Sequence, residues 1–347
     1  MVERWGTLDA HSIAPVAQHP IIPSHPSTQL PRHLSTPSFH RCCRSAFVSP
    51  SGLLNLNKPV GITSRRAVDY VQRLDRRTKV GHAGTLDPLA SGVLVLCVGA
   101  ATRLIECVQR MPKQYSACFL LGRQSPTEDM EGEVVELAGP PVPTIQQIQA
   151  AATALTGEIL QRPPAYSALK LKGRRACDLA RQGREVELEA RKVVIHRIDV
   201  AGYDYPELRL DIRCGSGTYV RSLGRDLAES LGTAAVMSAL VRTAIGCFRI
   251  EDALDPASLT ATDWAGHLLP SRLAVEDMPQ LTLDADEVRR VLSGRPIPAR
   301  SVSRDAPEIA ALDASGQLVA LLVRRVPDLL GPVRVFGAGD VMNPNAG

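Results

Sequence analysis

Apolar positions beyond residue 51 recur either two apart or three to four apart, and the switches between these periods mark the elements. GLLNLNKPVG (52–61) reads as a strand running into a turn. Ser64 stands where a helix N-cap belongs, and Ala67, Val68, Val71 and Leu74 follow at helical spacing. GVLVLCVG (92–99) is a short apolar run between glycines, the pattern of a buried strand. Residues 101–110 read as helix and QYSACFLLG (114–122) as strand, with 133–137 as its partner across the polar loop RQSPTEDMEG. A further amphipathic helix is predicted over 144–156, and strands near 192–200 and 207–214. A Gly215–Gly217 turn then opens a helix running from Tyr219 to Leu231.

Helices and strands mix without a regular strand–helix–strand period, which favours an α+β fold over a doubly wound sheet. Pro256 to Pro279 reads as a boundary. Beyond it, a helix at 285–292 and strands at 308–313, 317–324 and 332–336 predict a small β-rich domain. The chain thus divides into an N-terminal segment (1–50), a body (51–255) and a C-terminal domain (256–347). The first segment holds 7 of the 26 prolines and 5 of the 8 histidines, without apolar periodicity. Such a segment buries too little surface to offset its ordering entropy, so it is expected to be a disordered tail or to precede the true start.

Composition narrows the function classes. At 347 residues, 44% hydrophobic and 22% charged, the chain suits a soluble globular protein. No apolar run reaches the roughly 18 residues of a membrane span. A net charge of +4 excludes a polybasic protein and leaves any nucleic-acid contact to local patches. Eight cysteines occur without a CxxC pair or a zinc-ligand spacing, which points to buried thiols in a reducing cytoplasm. His19, His25, His33 and His40 are too irregularly spaced to predict a metal site.

GHAGTLDPLASGVL (81–94) contains one carboxylate, Asp87. An aspartate in a Gly/Pro loop is ordinarily a turn residue. Here Pro88 restricts Asp87 to extended conformations, small neighbours permit close approach of another chain, and a buried strand follows. A lone carboxylate cannot share acid and base work as a pair does, but it can act as a nucleophile if a cation keeps it ionised. Seven Lys/Arg and one acid, Asp178, lie within 162–184, together with Tyr166. Arg65, Arg66, Arg73, Arg76, Arg77 and Lys79 form a second basic group just before the Asp87 loop. A basic run taken alone reads first as a solvated helix face, but basic residues with few acids also suit a phosphate backbone. Arg221 falls in the first turn of a predicted helix, where a cation opposes the helix dipole and calls for an anionic partner.

These segments together resemble the TruB family of tRNA pseudouridine synthases. The carrying stretches are LNLNKPVGITS (54–64), VGHAGTLDPLASGVLVLCVGAATRL (80–104), KQYSACFLLG (113–122) and the Thr127–Asp129–Gly132 loop. QRPPAYSALKLKGRRACDLARQG (161–183) and GTYVRSLGRDLAESLG (217–232) complete the set, in order, over residues 51–250. The resemblance implies a mainly antiparallel mixed sheet flanked by helices, and a PUA-like RNA-binding domain at the C-terminus. It implies that Asp87 is the nucleophile, that Tyr115 stacks on the target base and that Arg221 pairs with Asp87. His82 would enter the T-loop, Leu240 would line the base pocket, and Asp129 would organise the tyrosine and arginine. Lys58 and Lys170 would be further substrate contacts. The partner would be the T-stem-loop of tRNA, bound by a cytoplasmic monomer that needs no protein partner. No cofactor is implied, since the reaction oxidises nothing and transfers no donated group. Whether the aspartate attacks C6 of the base or C1′ of the ribose, or stabilises a cleaved intermediate, stays open. Ser125 and Pro126 depart from the more polar residues expected in their loop, and Cys177 stands where a tyrosine is common.

Overall fold

A computed structural model describes residues 50–167, 169–171, 174–176, 178, 182, 188–300 and 305–337. The expected disordered tail and Cys177 lie outside the described residues. Along the chain come β1 (Gly52–Lys58), α1 (Ser64–Leu74), β2 (Val80–His82), β3 (Ala90–Val98), α2 (Ile105–Arg110) and β4 (Lys113–Leu121). β5 (Arg123–Gln124), β6 (Val135–Glu136), α3 (Ile145–Ala154), β7 (Gly157–Gln161), β8 (Lys170–Leu171) and β9 (Arg174–Arg175) follow. β10 (Arg191–Asp204), β11 (Glu207–Cys214), α4 (Val220–Ser230), β12 (Ala235–Ile245) and β13 (Phe248–Arg249) complete the body.

The main sheet runs β1-β3-β12-β4-β11-β10-β7, with β2 on β3 and β13 on β12. Its described pairings are antiparallel except for β12 against β3. That parallel pairing matters because it sets Leu240 beside Ala90 and Arg242 beside Gly92. On the other side of β12, β4 sets Tyr115 beside Arg242. Three strands therefore converge where the Asp87 loop enters β3. Gly92 has φ 99°, and an added Cβ would stand 2.3 Å from the Arg242 carbonyl oxygen. Only glycine lets β12 approach this closely.

Apolar alternation along β1 and β3 sends Leu54, Leu56, Leu94 and Leu96 into one core with Ala67, Val68 and Val71 of α1. Phe119, Leu210, Leu223 and Leu227 build a second core between the sheet and α4. Gly224 makes that contact possible, since a Cβ there would lie 2.0 Å from the Phe119 ring. Residues 256–279 pack into the body. Trp264 and Leu268 join the α1 core, and Leu53 and Leu269 exchange backbone hydrogen bonds. The C-terminal part holds β14 (Gln280–Thr282), α5 (Ala285–Leu292), β15 (Ile297–Pro298), β16 (Ile309–Leu312), β17 (Leu318–Val326) and β18 (Leu329–Val335). Its sheet runs β14-β16-β17-β18-β15. Ala310, Leu321 and Phe336 share an apolar cluster with Val93 and Val108 of the body.

Three local expectations change. Thr63, not Ser64, caps α1, its hydroxyl accepting the Arg66 N–H at 3.1 Å. Residues 135–136 pair with β5, whereas β4 lies between β12 and β11. The central strand β12, unmarked in the sequence reading, carries Ser238 and Arg242 among alanines, which blurs its period.

Candidate active site

The Asp87 loop is held at both ends. Ser64, freed from capping, accepts the Leu86 N–H at 2.8 Å and donates to the Leu86 carbonyl at 3.1 Å. Gly61 N–H donates to the Pro88 carbonyl at 2.8 Å. The start of α1 thus serves as a brace for the carboxylate. Asp87 opens onto a cavity of about 640 Å³, lined also by Tyr115, Ser167, Thr218, Arg221, Leu240 and Arg242. That volume falls within the range of small-ligand sites and can hold a nucleotide.

Arg221 joins two carboxylates. Its NH2 lies 2.9 Å from Asp87 Oδ2, and its NH1 lies 3.2 Å from Asp129 Oδ2. NH1 also donates to the Thr127 carbonyl (2.8 Å) and NH2 to the Tyr166 carbonyl (3.1 Å). The Arg221 side chain is only 7% exposed and that of Asp129 2%, while that of Asp87 is 34% exposed. The chain of charges therefore runs from the interior to the cavity and leaves its Asp87 end open. Asp129 Oδ1 accepts the Thr127 hydroxyl at 2.6 Å and the Glu131 N–H at 3.0 Å. The anionic partner expected for Arg221 is two partners. Their charges outweigh the dipole penalty of an arginine in the first turn of α4. Ser125 stiffens the same loop, its hydroxyl 3.0 Å from that of Thr127.

Tyr115 lies across the cavity on β4, half-buried, with burial pushing its phenol up and keeping it neutral. Its hydroxyl meets the Arg242 guanidinium. Asp129 bonds to Arg221, Thr127 and Glu131, and among the described residues it makes no hydrogen bond to Tyr115. Arg242 is 2% exposed. Its Nε donates to the Val93 carbonyl at 2.7 Å, NH2 to Gly84 at 3.2 Å and NH1 to Thr85 at 3.4 Å. It thus ties both flanks of the Asp87 loop to β12. Among the described residues no carboxylate forms an ion pair with Arg242, which leaves a buried cation at the cavity wall. Sequence reasoning missed this residue, because a lone arginine in AVMSALVRTAI reads as a solvent face.

Leu240, 7% exposed, lines the cavity. Lys58 does not reach the surface where a substrate contact was expected. It is fully buried, and its ammonium donates to the Pro59 carbonyl (2.8 Å) and the Ile62 carbonyl (2.7 Å). Burial pulls its pKa down to about 8, against the attraction of Asp87. Lys58 shapes the 59–62 turn that braces Pro88. His82 ends β2 outside the cavity lining, half-buried, with no partner for Nδ1 among the described residues. Burial lowers its pKa, and Arg242 and Arg65 add to the shift. Lys170 falls on β8, and its side chain lies outside what is described. Among the described residues no three His, Cys, Asp or Glu side chains group as a metal site.

Residues 72–220 match the family model described as TruB family pseudouridylate synthase (N terminal domain). Residues 278–337 match the model for tRNA pseudouridine synthase II, C terminal. A relative from Dehalococcoides mccartyi named tRNA pseudouridine synthase B is 40% identical over 290 residues, covering 82% of this chain and 96% of the relative. One of the same name from a Caulobacter species is 40% identical over 298 residues, with the same coverage. Among solved structures, a Cbf5-Nop10-Gar1 complex contains a chain that superimposes with a TM-score of 0.66 at 25% identity. The match covers 84% of this chain and 87% of that one.

Proposed function

The chain belongs to the TruB family of pseudouridylate synthases, and from that membership and the setting of Asp87 we propose that it isomerises the T-loop uridine (uridine-55) of tRNA. The observation that carries the reading is the Asp87–Arg221–Asp129 chain opening onto a cavity beside Tyr115.

The reaction breaks the bond from C1′ to N1 and forms one from C1′ to C5; C5 gives up its proton to solvent, and N1 takes one up, so atoms and charge balance. No electrons leave or enter, so residues alone can perform it. The uridine must first be flipped out, at a cost of a few kcal/mol that RNA contacts offset. Tyr115 supplies the stacking face, worth about 1–3 kcal/mol for a base. Arg221 is the counter-charge beside Asp87, which attacks C6 or C1′ or stabilises a cleaved intermediate, and Asp129 fixes Arg221. Leu240 lines the base pocket. His82 serves as the T-loop contact and Lys170 as a backbone contact. Lys58 acts by bracing the loop. The protein works as a monomer in the cytoplasm, without a cofactor. The C-terminal part from β14 onward serves as its RNA-binding part, the expected boundary at 256 moving to about 280 because residues 256–279 pack into the body.

Purified protein incubated with a bare T-stem-loop RNA tests the reading. Pseudouridine is expected at the T-loop uridine alone. Conversion that appears only when a guide RNA is added would replace this reading with a guide-dependent one.

A further inference from the structure

Consecutive residues of an extended segment point to opposite faces, yet Glu128 and Asp129 both reach the same helix. Asp129 meets Arg221, and Glu128 meets the adjacent Ser222 and, one turn further along α4, Arg225. The backbone permits this because Glu128 has φ 61°, the one left-handed non-glycine residue among those described. Glycine or asparagine takes this conformation with less strain. A glutamate here keeps the strain and adds a carboxylate, and its partners account for it.

The Ser222 hydroxyl donates to Glu128 Oε2 at 3.0 Å, and Arg225 NH1 donates to Glu128 Oε1. Arg225 is fixed in turn by Asp226, whose Oδ1 accepts from Nε at 3.0 Å and from NH2 at 2.7 Å. NH2 also donates to the Arg162 carbonyl at 2.9 Å. The backbone of Glu128 is pinned as well, its N–H donating to the Ser125 carbonyl and its carbonyl accepting the Met237 N–H, both at 3.0 Å. Arg221 and Arg225 therefore repeat one pattern at i and i+4 on α4. Each holds one of two successive carboxylates, and each donates to a carbonyl of the 162–166 segment. If the turn at Glu128 relaxed to an ordinary conformation, Glu128 and Asp129 could no longer both face α4.

We propose that the Glu128–Arg225 pair is a positioning device for the isomerisation, holding the left-handed turn that presents Asp129 to Arg221 and thereby aims the Asp87 counter-charge. This rests on the role proposed for Asp87. It makes Glu128 and Arg225 positioning residues, acting through Asp129 without touching substrate.

Single-turnover isomerisation of a tRNA transcript, with tRNA affinity measured separately, tests it. The proteins are wild type, Glu128→Gln, Arg225→Lys, Asp129→Asn and the double variant Glu128→Gln/Asp129→Asn. Glu128→Gln is expected to slow the reaction by about tenfold or more, the scale of a sub-ångström misplacement, with tRNA affinity within about twofold. In the Asp129→Asn background it adds no further loss, because it acts through Asp129. Arg225→Lys keeps the charge but not the fork, and a smaller loss is expected; it carries the test if Glu128→Gln does not fold. A wild-type rate in both Glu128→Gln and Arg225→Lys overturns the proposal, as do losses that multiply in the double variant. So does a lower melting temperature with an unchanged rate per folded molecule. A wild-type protein inactive on tRNA overturns this proposal together with the assigned reaction, whereas active wild type with unaffected variants overturns this proposal alone.

Discussion

At the scale of single residues, the site divides into groups that chemistry exposes and groups that packing hides. Asp87 and Arg221 were legible in the sequence. A carboxylate fixed by Pro88 and an arginine opposing a helix dipole both ask for partners, and they are each other's at 2.9 Å. Arg242 and Glu128 were not legible, because their roles come from where β12 and a left-handed turn carry them. Arg242→Lys keeps a charge but loses the fork that spans Val93, Gly84 and Thr85. The isomerisation rate is expected to fall about tenfold to a hundredfold, the cost of a misplaced reacting group, while tRNA still binds. Rapid-quench kinetics check this. Lys58 supplies a pH signature. Its buried ammonium titrates at about 8, against 10.5 in the unfolded chain, so between those values the unfolded state binds more protons. Its contribution to stability therefore rises with pH across that window and is smallest below it. Urea midpoints of wild type and Lys58→Met are expected to diverge in favour of wild type as pH rises through the window, and parallel curves would contradict the burial argument.

Most elements were written in local periodicity, and the exceptions have physical reasons. α1, α3, β1, β3, β4 and β11 show clean apolar spacing because each buries one face or both. β12 lies between β3 and β4 yet contains Ser238 and Arg242, which bond to the backbone of Cys118, Val93 and the Asp87 loop. The cap of α1 falls one residue before Ser64, at Thr63, since the Ser64 hydroxyl bonds to Leu86. The seating of α4 on the sheet depends on Gly224, where a Cβ would meet the Phe119 ring at 2.0 Å. Gly224→Ala is expected to cost about 1–3 kcal/mol of stability by overpacking and to slow isomerisation, because α4 carries Arg221. Chemical unfolding and single-turnover rates on the same samples check both. An unchanged unfolding midpoint would show that the helix seats differently.

At the scale of the whole molecule, the C-terminal sheet is fastened to the body by chemistry as well as by apolar packing. Arg103 lies 4.8 Å over the Phe336 ring, Arg110 pairs with Glu308 at 3.0 Å, and Arg334 pairs with Glu106 at 2.8 Å. The sequence marked the β-rich part but not this fastening, which joins residues more than 190 positions apart. A net charge of +4 gives little general attraction for RNA, so binding falls to local groups such as Arg65 and Arg66 at the start of α1. Replacing both with alanine is expected to weaken tRNA binding and reduce its log–log salt slope by roughly 0.7–0.9 per lost phosphate contact. An unchanged slope would place the RNA elsewhere.

The central claim, that Asp87 performs the isomerisation, is tested most directly by tritium release from tRNA labelled at uridine C5. Pseudouridine formation must expel that hydrogen. Wild type is expected to release the T-loop label completely, and Asp87→Asn to release none while binding tRNA with near-normal affinity. Release by Asp87→Asn at the wild-type rate would contradict the account.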